Sequence, residues 1–241
     1  MADDAIPRRD FLKGAGAAGT AVAATLAPVA AATTVQAQPA PAAAPKPNSE
    51  PEVWLTLTAT EAAFITAAVD TLIPADDLSP SASQCGVATF IDRQLAGAYG
   101  SGARLYRQGP FTKGKPELGY QLELNPREFF RAGIEAANAF TRQTHGKEFD
   151  RLNDADRIAA MKEMEQGKAK FPAFSSTMFF NSLLQITMEG FFADPIYGGN
   201  RDKVAWKLLG FPGLPATYAD KIDAYRDKRY VAEPQSIADF S

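Results

Sequence analysis

The stretch TATEAAFITAAVDTLIP, residues 58–74, predicts the first helix of the folded body. Thr58 and Glu61 have the spacing of a capping box, in which the threonine side chain accepts from the amide of residue 61 and the glutamate reaches back. Pro74 ends the helix because proline cannot continue the hydrogen-bond pattern. Six apolar residues share one stripe at helical spacing: Phe64, Ile65, Ala68, Val69, Leu72 and Ile73.

Five more helices are expected downstream. The clearest start is Asn125, a good cap, followed by Pro126 at the first helical position and Glu128 near the positive end of the helix dipole; this helix should run to Gly146. Two others are expected from Val87 to Leu95 and from about Pro215 to Lys228. A third should begin at Asn153 or Asp154 and end near Gly167, with Ile158, Met161 and Met164 facing inward. The last should begin at Ser175 or Ser176 and bury Phe179, Phe180, Leu183, Ile186 and Thr187.

The fold class predicted from these segments is all-α, a single domain of about six helices with long irregular connections. Strand-like alternation is scarce. The longest connection follows Leu95 and is rich in glycine, and its aromatic residues show no period. Loops of this length are usually functional or bound by a partner, although a meandering surface cover is an equal alternative.

An export leader precedes the body. Arg8 and Arg9, followed by Phe11, Leu12 and Lys13, form the core of a twin-arginine signal, from which only Pro7 departs, because serine or threonine usually stands there. The residues after this core are mostly Gly, Ala and Thr, too weakly apolar for the roughly 20-residue span of a membrane anchor. We therefore expect cleavage near the small residues 30–32 rather than an uncleaved anchor.

The expected organisation is a signal peptide at 1–32, a Pro/Ala-rich linker at 33–53 and a helical domain at 54–241. Prolines 39, 41, 45, 47 and 51 favour an extended polyproline-like linker. Residues 14–19 match the dinucleotide fingerprint Gly-x-Gly-x-x-Gly by letter alone. No apolar strand precedes them, so the match is interpreted as chance.

Charge and composition exclude several classes of function. The chain has 25 basic and 28 acidic residues, a net charge of −3, without long basic runs, which argues against nucleic acid or an anionic membrane as the main partner. With one Cys and one His, a single chain cannot assemble a Cys/His zinc site, a c-type haem attachment motif or the two Glu-x-x-His pairs of a di-iron bundle. We expect no cofactor in this chain.

Two segments near the C-terminus are unusually rich in aromatic and turn residues. EGFFADPIYGGN, residues 189–200, is followed by WKLLGFPG, residues 206–213. Together with the helix that ends in Leu-Ile-Pro and the twin-arginine leader, these segments resemble the gluconate 2-dehydrogenase subunit 3 family. The resemblance covers essentially the whole mature body, and Asp-Pro-Ile-Tyr-Gly-Gly-Asn at 194–200 is its most specific part.

The resemblance implies a non-catalytic small subunit of a heterotrimeric complex of the gluconate 2-dehydrogenase (acceptor) type, periplasmic and peripheral to the cytoplasmic membrane. Its FAD-dependent large subunit would oxidise D-gluconate to 2-dehydro-D-gluconate, or a related sugar or polyol. A multihaem cytochrome c subunit would carry haem c and provide the only membrane attachment. Family members are thought to carry the signal read by the twin-arginine translocase for the flavoprotein, which folds around FAD before export.

The aromatic segments suggest a partner interface, since aromatic residues are common interface anchors. In the packing alternative, Pro195, Gly198 and Gly199 shape a turn. Asn200 then caps the next helix, and the aromatic residues pack internally. Two further functions stay open: a free-standing periplasmic hydrolase using Glu189 and Asp194 as paired carboxylates, and a binding module tethered by the linker. The interface hypothesis names Phe191, Phe192, Asp194, Pro195, Tyr197, Asn200 and Trp206.

Two single residues are considered separately. Cys85 is expected to be a small buried residue, but an odd thiol in an exported chain leaves an intersubunit disulfide open. His145 lies just before Gly146 at a predicted helix end, where a cation stabilises the dipole, so this role is favoured over that of a catalytic base.

Overall fold

The computed structural model describes residues 53–112, 114–115, 120–215 and 217–240. Among them are seven α-helices and no strand; the only β-type pairing there is an isolated bridge between Gly213 and Gln235. The all-α prediction is confirmed. The helices are α1 (Ala59–Leu72), α2 (Val87–Ala96), α3 (Pro126–His145), α4 (Asp154–Glu165), α5 (Ser176–Phe192), α6 (Val204–Leu209) and α7 (Ala219–Ile222). The predicted signal peptide and the linker up to residue 52 lie outside the described residues.

The predicted helix starts are confirmed by their caps. Thr58 and Glu61 form the reciprocal capping box, with the Thr58 amide donating to the glutamate at 2.7 Å. Asn125 and Glu128 form a second capping box, so Glu128 bonds the cap amide as well as facing the dipole. Asn153 and Ser175 cap α4 and α5 through their side chains. These interactions span only three residues, which is why the sequence predicts them.

Helix α5 lies at the centre of the core and contacts α1, α2, α3, α4 and α6. Its residues Phe179 and Leu183 are fully buried. A Cβ added at Gly133 of α3 would lie 2.2 Å from the Phe179 ring, so this glycine allows the two helices to approach closely. The core is rich in phenylalanine, and its fully buried rings are Phe64, Phe129, Phe130, Phe149 and Phe179.

Two predictions about helices are wrong. Ile158 does not face the core: it is 45% exposed, and α4 packs through Ala160, Met161 and Met164 instead. The last helix, expected over about 215–228, is only Ala219–Ile222. It has no side-chain cap and buries none of its residues, and short helices without a packed face gain too little to extend.

A buried aspartate fixes the segment that leads into α1. Asp92 of α2 is 1% exposed and accepts three backbone hydrogen bonds, from the amides of Leu55, Thr56 and Leu57 at 2.6, 3.0 and 2.9 Å. These bonds hold residues 55–57 against α2 just before the Thr58 cap. The carboxylate is therefore a structural anchor for the start of the folded body.

We expect Asp92→Ala to lower the free energy of unfolding by about 2–3 kcal/mol, because it leaves partly buried backbone amides without their charged hydrogen-bond acceptor. Asp92→Asn should cost less, since its single carbonyl oxygen can keep the bonds from Thr56 and Leu57. Chemical denaturation of the purified chain measures both. Asp77→Ala, at an exposed aspartate, is the control and should change stability by less than about 0.5 kcal/mol. Equal effects of Asp92→Ala and Asp77→Ala would contradict the anchor role.

Candidate partner interface

Residues 194–200, the most specific part of the resemblance, form a tight turn between α5 and α6. Asp194 begins it by accepting from the Ile196 amide at 3.0 Å, and residues Pro195–Tyr197 form a 3-10 turn. Gly198 follows with φ +101°, a backbone conformation that favours glycine. A Cβ at Gly199 would lie 2.1 Å from the carbonyl oxygen of Gly190, so this second glycine lets the turn fold back on α5.

Asn200 locks the end of this turn. It is fully buried with φ +46°, a left-handed conformation that asparagine tolerates better than most residues. Its Nδ2 donates to the Ala193 carbonyl at 2.9 Å, and its Oδ1 accepts from the Ala205 amide at 2.9 Å. The side chain thus joins the end of α5 to the first turn of α6. The cap position of α6 is Lys203 rather than Asn200, which the packing alternative expected there.

Several of the aromatic residues are internal. Phe191 is 4% exposed and Trp206 is 7% exposed. The Trp206 indole Nε1 donates to the Phe192 carbonyl at 2.9 Å, and its ring packs edge-on against Phe211 with centroids 5.2 Å apart. In this conformation Phe191, Asn200 and Trp206 cannot themselves contact a partner, so for these three residues the interface hypothesis is replaced by a packing role. Phe192, Asp194 and Pro195 are half-buried.

The exposed residues around this turn include two from the C-terminal part of the chain. Ile196 and Tyr197 are 42% and 50% exposed. A second 3-10 turn, Ile237–Phe240, contacts the first one, and the Ile237 amide donates to Asp194 Oδ2 at 2.9 Å. Ile237 and Phe240 are also exposed. We call Ile196, Tyr197, Ile237 and Phe240 the corner patch; of these four, the sequence hypothesis named Tyr197 alone.

The turn after Asn200 has an unusual backbone. Asp202 and Lys203 both have φ +58°, where non-glycine residues are uncommon. The Lys203 ammonium pairs with the Asp239 carboxylate of the second 3-10 turn. The Arg201 amide donates to the Cys85 carbonyl at 2.9 Å, and its guanidinium donates to the Gln84 carbonyl. These bonds hold the left-handed residues in place and attach the corner to the segment before α2.

The two carboxylates of the hydrolase alternative are already engaged. Glu189 accepts from the Gln185 side chain one turn earlier on α5, at 2.8 Å. Asp194 uses both oxygens for backbone amides, at residues 196 and 237. Within the described part of the chain, no group of three His, Cys, Asp or Glu residues is placed to hold a metal ion. In this structure Glu189 thus bonds within its own helix, and Asp194 holds the turn together.

The single cysteine, Cys85, and the single histidine, His145, both have structural surroundings. Cys85 is 1% exposed, and burial raises the pKa of its thiol to about 11. In this conformation a partner thiol cannot reach its sulfur, which leaves the intersubunit disulfide without support. His145 is in the last turn of α3, as predicted, and its Nδ1 lies 3.9 Å from an Asp156 carboxylate oxygen.

The twin-arginine residues Arg8, Arg9, Phe11, Leu12 and Lys13 lie outside the described residues. No helix in the described ranges has both the length and the apolar character required for crossing a membrane.

Comparisons with known proteins identify two regions of the chain. The family model described as gluconate 2-dehydrogenase subunit 3 matches residues 59–213, from the start of α1 to the glycine that bridges to Gln235. The model of the twin-arginine translocation pathway signal sequence matches residues 5–25. No curated protein and no solved structure gives a significant match.

Proposed function

Because the chain belongs to the gluconate 2-dehydrogenase subunit 3 family, we propose that it is the non-catalytic small subunit of a heterotrimeric periplasmic dehydrogenase. In this proposal a flavoprotein subunit with FAD oxidises D-gluconate to 2-dehydro-D-gluconate, or a related sugar or polyol. A multihaem cytochrome c subunit receives the electrons and holds the complex at the cytoplasmic membrane. The present chain contributes assembly and export.

The observation that carries this proposal is that one chain joins the family domain to a twin-arginine signal. The signal indicates export across the cytoplasmic membrane. This pathway carries folded cargo, so a flavoprotein that has already bound FAD can cross together with a subunit that bears the signal. Such joint export requires a stable contact between the two chains before they leave the cytoplasm.

The corner patch is the surface we assign to this contact. Its four apolar residues lie on two short turns that α5, Asp194 and the Lys203 ion pair hold in place. Interfaces gain most of their binding energy from a few aromatic and apolar anchors on a rigid support. Tyr197 suits this role because its aromatic ring is half exposed at the edge of a fixed turn.

We expect Tyr197→Ala to weaken capture of the flavoprotein by at least about 30-fold, the equivalent of 2 kcal/mol for a hot-spot aromatic. The melting temperature of the isolated chain should stay nearly unchanged, because the side chain is exposed. Purification of the tagged chain from its native periplasm, followed by titration with the flavoprotein, measures capture. Calorimetry of the isolated chain measures stability.

Tyr106→Ala is the matched control, since this tyrosine is also exposed but lies in the irregular segment between α2 and α3. It should leave capture unchanged. If Tyr106→Ala weakens capture and Tyr197→Ala does not, the partner surface is in the irregular segment rather than at the corner patch. A colourless chain that brings no flavoprotein from the periplasm would instead favour the tethered binding module.

A further inference from the structure

The last described residues of the chain lie against the turn at 194–200 and start from a fixed base. The Gln235 amide donates to the Pro212 carbonyl at 3.0 Å, and the Gln235 carbonyl accepts from the Leu214 amide at 2.9 Å. Ser236, the next residue, is 1% exposed. The backbone is therefore pinned to the body as far as Ser236.

Beyond this base, polar contacts hold the chain on the body. The Ile237 amide donates to Asp194 Oδ2 at 2.9 Å, and the Asp239 carboxylate pairs with the Lys203 ammonium. Residues 237–240 are all exposed, so they gain little from the burial of apolar surface. The position of these four residues therefore depends on charged groups.

The lysine of this ion pair has a costly backbone conformation. Lys203 and the preceding Asp202 both have φ +58°, a left-handed conformation that the Cβ atom disfavours. Such strain is concentrated at active sites and switch regions, where surrounding contacts maintain it. Asp239 supplies one of these contacts, and the same carboxylate accepts from the Ser236 amide at 2.7 Å. Loss of the ion pair would thus remove one restraint on a strained residue.

We propose that Ile237–Phe240 is a strap that opens and closes on the turn at 194–200, with the ion pair between Lys203 and Asp239 as its latch. The structure shows the closed state, in which the strap contacts the turn. Opening would uncover Asp194 Oδ2 and separate two of the four residues of the corner patch from the other two. The strap therefore decides whether the corner patch is complete.

The latch should respond to salt. Its two side chains are 22% and 40% exposed, so solvent ions can reach the pair. The Debye length falls from about 10 Å at 0.1 M salt to about 3 Å at 1 M, which weakens attraction between exposed charges. The bonds of Gln235 join uncharged backbone groups and should persist. High salt is thus expected to open the strap and leave its base closed.

The test is hydrogen exchange of the purified chain, followed by NMR in about 0.1 M and about 1 M NaCl. The Ile237 amide reports the strap, and the Gln235 amide reports the base. Lys203→Gln removes the charge of the latch, whereas Lys203→Arg keeps it. Arg226→Gln is the matched control, because it removes an exposed ion pair with Asp223 in the same part of the chain. The experiment needs no partner protein and is independent of the proposed dehydrogenase complex.

We expect the Ile237 amide of Lys203→Gln to exchange about threefold faster or more in low salt, relative to the Gln235 amide, which is the order of effect for an exposed ion pair. Raising the salt should accelerate the same amide in the wild-type chain but not in Lys203→Gln. Lys203→Arg and Arg226→Gln should match the wild-type chain in low salt.

Equal exchange of the Ile237 amide in the wild-type chain and in Lys203→Gln would overturn the proposal. Equal acceleration of the Gln235 amide would overturn it as well, since the whole C-terminal segment would then detach without a fixed base. The salt comparison on the wild-type chain requires no variant to fold. An Ile237 amide whose exchange there does not depend on salt would also overturn the latch.

Discussion

Trp206→Ala is expected to lower the free energy of unfolding by about 3–5 kcal/mol, the usual cost of truncating a large buried aromatic residue. The indole is 7% exposed, packs on Phe211 and donates to the Phe192 carbonyl at the end of α5. Its removal leaves a cavity and an unpaired carbonyl between α5 and α6. For a domain of this size the melting temperature should fall by roughly 6–20 °C.

Trp206→Phe separates packing from hydrogen bonding, because phenylalanine fills most of the site but cannot donate to Phe192. Its cost should be clearly smaller, about 1–3 kcal/mol for the carbonyl left without its donor. Calorimetry of the wild-type chain and the two variants measures the series. The folded fraction of Trp206→Ala should still capture the flavoprotein. A variant with unchanged stability and lost capture would mean that Trp206 is an interface residue after all.

The helix starts could be predicted because their determinants are local. Thr58 with Glu61 and Asn125 with Glu128 each close a capping box within four residues. The apolar stripe of α5 was equally clear, since its buried residues recur at helical spacing. The predicted C-terminal helix is too long because helix length there depends on packing, and residues 223–228, which the prediction included, are all exposed.

The candidate interface could be predicted only in part. The sequence pattern marks the segment 189–200 as a turn between helices, but burial depends on contacts with distant residues. Asn200 is internal because it bonds both Ala193 and Ala205, and Trp206 because its indole reaches back to Phe192. The contribution of Ile237 to the corner patch depends on a bond to Asp194 across 43 residues, for which the sequence has no local signal.

We propose that this chain carries the export signal for a flavoprotein that has no signal of its own. The double variant Arg8→Lys, Arg9→Lys keeps the charge of the leader but removes the arginine pair that the translocase reads. We expect both this chain and the flavoprotein to remain in the cytoplasm, with dehydrogenase activity lost from the periplasm. Arg226→Lys with Arg229→Lys, at two exposed arginines of the body, is the control and should leave export unchanged.

The deciding measurement is the amount of FAD-containing partner in the periplasmic fraction of cells that carry the double leader variant. We expect the partner to disappear from this fraction and to accumulate with the retained small subunit in the cytoplasm. A flavoprotein that reaches the periplasm in wild-type amounts without this chain would contradict joint export.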